Sequence, residues 1–342
     1  MAGVRLEDVA RIAGVSTKTV SNVVHGYKHV SVGTRTRVQE VIEQLGYRPN
    51  LMGRRLATGR TGLLALAFSS VAIPYFAELS RLVSAAAAEA GYRVLLEETD
   101  GTIEGERAVV ANFEAGMVDG ILFQPGKMSA IELARHRTDL PIVILGEGPA
   151  PLTMDRVMID NISAAEVVTN HLLASGRRSI AFAGHEKDDL SATSAQRLMG
   201  YQNALEEAGI RPASELLLPS EAITSTGSFT AVGDALDAGI RFDAIVCRDD
   251  LAAIGALRAL QQRGIHVPDD VALTGWDDIE MSRMTYPSIT TVAPETALLA
   301  RRATAMLIDR IGGFQGAGRH ELVGFELAVR ESAPVLARSR VA

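Results

Sequence analysis

Apolar positions three and four residues apart recur twice within residues 6–24, LEDVARIAGVSTKTVSNVV, with one break between the two runs. Leu6, Val9, Ala10 and Ala13 form one face of a first helix. Gly14 interrupts the pattern, since glycine takes the left-handed conformation that stops a helix sharply. Val15 tucks under the turn, and Ser16 is suited to cap a second helix. In that helix Val20, Val23 and Val24 point inward, while Thr17, Lys18, Ser21 and Asn22 point outward. A third helix is predicted over 32–45, capped by Ser31, with Val38, Val41, Ile42 and Leu45 as its apolar face and Gly46 as its stop. Two short helices across a tight turn, the second lined with short polar side chains, make the helix-turn-helix arrangement, whose second helix enters a DNA major groove. The plain alternative is a helical hairpin with a solvated face.

From Arg48-Pro49-Asn50 a new segment begins. Asn50 can cap a short helix over residues 50–60 carrying Leu51, Arg54, Arg55 and Leu56, too short to be stable alone in water. Beyond residue 62 the texture changes to short apolar runs separated by amphipathic stretches. Strands are predicted at 63–68, 93–97, 120–124, 142–146, 157–160, 179–183, 216–218, 244–247 and 271–275. Helices are predicted at 75–90, 105–115, 129–137, 164–174, 195–208, 229–238, 251–263 and 295–311. Strands alternating with helices imply parallel sheets covered on both faces. About 280 residues of this make two doubly wound parallel-sheet lobes, with a ligand site at strand carboxyl ends in the cleft between them. The division is therefore a helical head at 1–49, a linker at 50–61 and a two-lobed core at 62–342.

The charge distribution sharpens this. The net formal charge is −7, yet residues 1–62 hold 10 Lys and Arg against 4 Asp and Glu, leaving an acidic remainder. A basic head on an acidic body suits a head that meets a polyanion. No apolar run reaches the length of a membrane span, and the N-terminus lacks a signal pattern, so a cytoplasmic location is expected. The single cysteine, Cys247, excludes an intramolecular disulfide and a multi-cysteine metal site; after Ala244-Ile245-Val246 it reads as a buried strand end.

Catalytic patterns are absent. No Gly-x-Ser-x-Gly elbow opens a helix. Gly126-Lys127 is followed by Met128 and lacks the glycine five positions before the lysine, so a phosphate-binding loop fails. Gly146-Glu147-Gly148 lacks the third glycine of a dinucleotide fingerprint. The seven histidines are scattered without metal-ligand spacing. No enzyme, cofactor or metal is expected.

The chain resembles the LacI/GalR family of bacterial transcriptional regulators nearly end to end. The resemblance rests on 6–24, on HVSVGTRTRVQEVIEQLGYRPN and LMGRRLATGRTG at 29–62, and on HLLASGRRSIAFAG, SATSAQRLMGY, DDLAAIGAL, VPDDVALTGWDD and YPSITTV in the body. It implies an all-α helix-turn-helix DNA-binding head, a hinge helix, and a periplasmic-binding-protein-like α/β core that forms a homodimer and binds a small effector. The DNA partner is a near-palindromic operator, met by Ser16, Thr17, Lys18, Thr19, Ser21, Asn22 and His29. From the linker Asn50, Arg54, Arg55 and Leu56 join them, Leu56 standing where this family inserts a leucine into the minor groove. Three positions depart from the family pattern. Arg5 stands where Thr or Ser caps the first helix, which predicts a looser start; Asn22 stands where Arg is common; Asp249 precedes Asp250 where Asn-Asp is usual, which changes the charge of one effector contact.

Arg197 and Asp277 match family effector positions. An arginine can fork two hydrogen bonds and a carboxylate can accept from two hydroxyls, which suits a sugar; the competing reading is an inter-lobe salt bridge without ligand. Tyr75 and Phe76 can stack on a sugar ring or simply pack in the core. Glu147, Asp160, Phe229 and Asp249 are further candidates. Trp276 reads equally as core or pocket wall. The expected function is a repressor of carbohydrate-metabolism genes controlled by a sugar-like effector; the alternative is a transport-type solute-binding protein, which shares such a core but would carry a signal peptide and no head.

Overall fold

A computed structural model describes residues 4–24, 27, 29–47, 60–114, 116–135 and 140–335. The chain separates into two compact units, Met1–Gly62 and Leu63–Ala342.

In the first unit, α1 (Leu6–Ala13), α2 (Thr17–Val24) and α3 (Val32–Leu45) enclose a core of Val9, Ala10, Ala13, Val20, Val23, Val38 and Val41. Gly14 and Gly46 both take the left-handed conformation that stops α1 and α3, at φ 65° and 62°. Ser31 Oγ accepts the Thr34 N–H, capping α3. Arg5 supplies no oxygen for α1. Instead the Asp8 carboxylate reaches back to the Arg5 N–H at 3.0 Å and pairs with Arg11 at 2.8 Å. The start of α1 is thus tied from within the helix rather than left loose.

The second unit holds two six-stranded sheets. The first contains β1 (Leu63–Phe68), β2 (Arg93–Glu98), β3 (Gly120–Phe123), β4 (Ile142–Leu145), β5 (Asp155–Ile159) and β11 (His320–Val323), in the order β11-β5-β4-β3-β1-β2 and all parallel. The inner strands β1, β3 and β4 are buried on both faces, so they read as continuous apolar runs, whereas the edge strands β2 and β11 are partly exposed. Leu64, Leu66 and Phe68 of β1 face α4 (Pro74–Glu89) and α12 (Thr296–Ile311). Ala65 and Ala67 face α5 (Ile103–Glu114) and α6 (Ala130–Arg135).

The second sheet has the order β12-β10-β9-β8-β6-β7. Its strands are β6 (Ile180–Glu186), β7 (Leu217–Ser220), β8 (Ala244–Cys247), β9 (Ala272–Trp276), β10 (Thr290–Pro294) and β12 (Phe325–Ala328), the last antiparallel to β10. One face carries α7 (Asn161–Ala174) and α8 (Ala192–Glu207). The other carries α9 (Ser225–Asp237) and α10 (Asp250–Gln262). A short α11 (Glu280–Met284) precedes β10.

Among the described residues the chain crosses between lobes three times: from β5 to α7 at Asp160, from β10 to α12 at Glu295, and from β11 to β12 at Gly324. Two of the crossings are bonded to each other, since the Glu295 N–H donates to the Gly324 carbonyl at 2.9 Å and the Gly324 N–H donates to Glu295 Oε2 at 3.1 Å. The alternation read from the sequence matches β1 to β9 and their helices, with ends shifted by a few residues. The helix read at 295–311 matches α12, whereas α11, β10, β11 and β12 were not read.

Candidate functional site

On the head, Ser16 Oγ accepts the Thr19 N–H at 3.1 Å and lies 2.8 Å from the Thr19 hydroxyl, fixing the start of α2. Thr17 and Lys18 are exposed, Ser21 and Asn22 half-buried, and His29 exposed. Val20 and Val23 anchor the opposite face of α2 in the core. The outward polar row is therefore rigidly backed. Tyr27, 60% exposed, was not a candidate from the sequence; its carbonyl accepts from Arg35 at 2.6 Å. Its only signal is an aromatic side chain in a connecting loop. Asn50, Arg54, Arg55 and Leu56 lie outside the described residues.

A cavity of about 510 Å³ lies between the lobes of the second unit. It is built at strand carboxyl ends, where doubly wound folds place ligands. From the first lobe come Ser69 after β1, Asp100 after β2, Lys127 after β3 and Glu147 after β4. From the second come Glu186 at the end of β6, Thr193 in α8, Arg248 and Asp249 after β8, and Asp277 after β9. Ile73, Tyr75, Phe76 and Leu79, with Leu299 of α12, form an apolar wall. Phe76 stacks on Phe68 at 4.9 Å, and the Tyr75 ring stands edge-on to Phe76 at 5.2 Å.

Arg197 is 7% exposed and held on several sides. Its Nε donates to Asn161 Oδ1 at 2.8 Å and its Nη1 to the Arg248 carbonyl. Its Cζ lies 3.9 Å above the Trp276 ring, and its Nη2 lies 3.7 Å from Asp277 Oδ1. Arg197 and Asp277 thus form a loose pair rather than a closed hydrogen bond. Asp277 is a non-glycine residue at φ 95°, held by its N–H on the Val292 carbonyl at 2.9 Å. Burial, opposed by Arg197 and reinforced by Asp249 and Glu147, pushes its carboxyl up to about 6. Beneath it, Asp250 is buried and pushed up to about 8, mainly by burial; its oxygens accept from the Thr291 hydroxyl at 2.7 Å and the Ile279 N–H at 2.9 Å.

Arg248 and Glu186 were not singled out from the sequence. Arg248 donates from Nε to Ser194 Oγ at 2.8 Å and pairs with Asp249 Oδ2 at 2.5 Å, with Glu186 at 3.9 Å. Burial would raise Glu186, but Arg248 holds it below its ordinary value. A charged residue directly following a buried apolar strand was the available signal. Asp249 is fully engaged: besides Arg248 it accepts the Ala252 N–H at 2.8 Å, capping α10. Across the cleft, Thr193 Oγ1 donates to Glu147 Oε2 at 2.9 Å, and Lys127 Nζ pairs with Asp189 at 2.6 Å. Glu106 is buried and accepts the backbone N–H groups of Gly126, Lys127 and Met128, which shapes the loop after β3.

Tyr75, Phe76, Glu147, Arg197, Asp249 and Asp277 thus meet in one cavity. Three other candidates are not part of its lining. Asp160 caps α7 through the Ser163 N–H at 3.0 Å. Phe229 packs against the core of the second lobe. Trp276 is 1% exposed and belongs to that lobe's core, where it carries Arg197 on its face. Among the described residues no group of three or more His, Cys, Asp or Glu could hold a metal ion, and no helix is long and apolar enough to cross a membrane.

Comparison with known proteins decides the family. Residues 5–50 match the bacterial regulatory proteins of the lacI family, and residues 169–333 match the periplasmic binding protein-like domain. The HTH-type transcriptional regulator RegA of Clostridium saccharobutylicum is 32% identical over 96% of this chain and 98% of its own. The chain belongs to the LacI family. Among solved structures, the transcriptional regulator CelR–cellobiose complex is similar at 30% identity and a TM-score of 0.71, covering 96% of this chain and 99% of that one. The lac repressor dimer bound to operator and the anti-inducer ONPF is similar at 26% identity and a TM-score of 0.85, covering 97% and 100%. This LacI-family chain is accordingly a DNA-binding transcriptional regulator and not an enzyme.

Proposed function

We propose that the protein is a homodimeric repressor of carbohydrate-metabolism genes that binds a near-palindromic operator and releases it when a small polyhydroxylated effector, a sugar or sugar-like molecule, occupies the interlobe cavity. The observation that carries this reading is the Arg197–Asp277 pair, buried yet 3.7 Å apart, facing an aromatic and aliphatic wall across a cavity of about 510 Å³. The pair offers one donor and one acceptor to neighbouring hydroxyls, and apolar sugar faces pack on aromatic and aliphatic side chains.

Operator reading is assigned to Thr17, Lys18 and Asn22, with Ser16, Thr19, Ser21 and His29 toward the backbone. The linker residues Asn50, Arg54, Arg55 and Leu56 follow from the family pattern, Leu56 as a wedge that bends the duplex. Self-association is supported by Met281, Met284 and Tyr286, which are 47%, 75% and 86% exposed around α11. The similarity to the CelR–cellobiose complex supports a sugar as the effector. The deciding experiment titrates purified protein with operator DNA, with and without a panel of sugars. Release by at least one sugar in the wild type, lost in Arg197→Ala, supports the proposal. Operator binding that no sugar alters in either direction overturns the effector assignment.

A further inference from the structure

Resting on the reading of the cavity as the effector site, we propose that the effector carries no anionic group: it is a neutral polyhydroxylated molecule, and the lining rejects sugar phosphates and sugar acids. Among the described residues, every cation that lines the cavity already has a carboxylate. Arg197 faces Asp277, Arg248 is bound to Asp249 with Glu186 close by, and Lys127 reaches across to Asp189. Arg197 is further committed through Nε and one Nη1 hydrogen to Asn161 and the Arg248 carbonyl, and its Nη2, the nitrogen nearest Asp277, is the end left facing a ligand.

Carboxylates, by contrast, are in excess. Asp100, Glu106, Glu147, Glu186, Asp249 and Asp277 line the same space as Arg197, Arg248 and Lys127. Glu106 is satisfied by backbone N–H groups. Glu147 has only the Thr193 hydroxyl as its hydrogen-bonding partner in the second lobe, and one Glu186 oxygen is buried with no hydrogen-bond partner at all. Hydroxyl groups would satisfy both. A phosphate or carboxylate placed on Arg197 Nη2 would instead stand beside the buried Asp277, within the reach of Glu147 and Asp249, where like charges repel more strongly than in bulk water. The raised Asp277 carboxyl is consistent with that field, burial first and Asp249 and Glu147 adding to it.

The chain has one tryptophan, Trp276, directly beneath Arg197, so its fluorescence reports on the cavity. The test titrates the full-length protein with neutral disaccharides, cellobiose among them, and with the aldonic acid and phosphate ester of each, following fluorescence and operator release together. The expected result is that a neutral member binds at least 100-fold more tightly than its own acid and phosphate. Glu147→Gln and Glu186→Gln, near-isosteric changes, should each narrow that ratio by about 10-fold. Tightest binding by an acid or phosphate, abolished by Arg197→Ala, would overturn the charge inference while leaving the cavity as effector site. A ratio unchanged in both Gln variants would overturn it as well. No response from any member would overturn the effector reading itself, and this inference with it.

Discussion

The guanidinium of Arg197 lies 3.9 Å above the ring of Trp276, while its Nε is bonded to Asn161, the first residue of α7 after the first crossing between lobes. One side chain thus joins the cavity, the core of the second lobe and the base of a crossing. Trp276 contributes by holding Arg197 flat, which is why its own indole need not touch the cavity.

Arg197→Ala should therefore weaken effector binding by 100-fold or more, leaving Asp277 buried without its cation, and change operator affinity by less than about 3-fold. Trp276→Leu should lower stability by about 2–4 kcal/mol, since a large buried ring is lost together with a desolvated cation–π contact worth about 2 kcal/mol. Effector titration and urea unfolding of both variants check this. Full effector response in Trp276→Leu would show that Arg197 needs no platform.

Asp277 and Asp250 set a pH dependence of definite sign. Both carboxyls are raised in the fold, to about 6 and about 8, from an ordinary 3.8. A raised pKa means that the folded state binds the proton more tightly, so their contribution to stability is full below about 3.8 and is lost as pH rises through 6 and 8. Asp277→Asn should match the wild type at pH 4 and exceed it by about 1–3 kcal/mol at pH 8. Effector affinity in the wild type should run the other way, falling as pH drops through 6, because a protonated Asp277 accepts fewer hydroxyl hydrogen bonds. Denaturation and effector titrations at pH 5 and 8 separate the two effects.

Much of this was legible where local signals agreed. The third helix of the head was readable to the residue because Ser31 caps it, Gly46 stops it and Val38 and Val41 mark its buried face. Strands β10, β11 and β12 were not, because they lack continuous apolar runs: β10 opens on Thr290 and Thr291, and β11 and β12 are edge strands interrupted by Glu321 and Glu326, β11 pairing with β5 some 160 residues away and β12 running antiparallel to β10. The site divided in the same way. Arg197 and Asp277 were visible through a family pattern, whereas Arg248 and Glu186 act only because two strand ends converge, a relationship that sequence spacing does not express.

Asp155 anchors the last element of the first lobe. Its side chain has no exposure, and it accepts from Arg310 at 2.8 Å and Arg319 at 2.7 Å, which hold its carboxyl far below the usual range although burial opposes them. Removing one partner of a buried pair strands the other charges, so Asp155→Ala should cost about 3–5 kcal/mol. The sign is opposite to that of Asp277: this contribution is present above about 3.8 and lost as pH falls below it. Thermal unfolding at pH 7 and pH 3 should show a large gap between wild type and Asp155→Ala at the first pH and a smaller one at the second.

Lys18 is exposed on α2 beside the Ser16 cap. A lysine there can donate to guanine O6 and N7. Lys18→Ala should cost about 1–3 kcal/mol at one base pair in each half-site and relax preference at that position. Competition binding on a set of single-base operator variants measures this. An equal loss on every sequence, with a shallower salt dependence, would make Lys18 a phosphate contact.

Two kinds of inter-lobe tie can set the closure angle, and their magnitudes differ. Lys127–Asp189 spans the cleft at 2.6 Å, but Asp189 is 81% exposed, and exposed pairs contribute about 0–1 kcal/mol and weaken with salt. The crossings at Glu295 and Gly324 are instead joined by one backbone–backbone hydrogen bond and one from the Gly324 N–H to the Glu295 carboxylate, between two of the segments that connect the lobes. A Cβ at Gly324 would come within 2.7 Å of Glu295 Oε2, so Gly324→Ala must push that carboxylate off the Gly324 N–H. Losing one such bond is worth about 1 kcal/mol, and a coupling change of that size moves an effector midpoint about 5-fold. Lys127→Ala should shift the midpoint for operator release by less than 3-fold, an effect that vanishes in high salt. Gly324→Ala should shift it by about 5-fold at any salt concentration, with circular dichroism unchanged. If the lysine variant gave the larger and salt-independent shift, the exposed bridge rather than the paired crossings would set the closure angle.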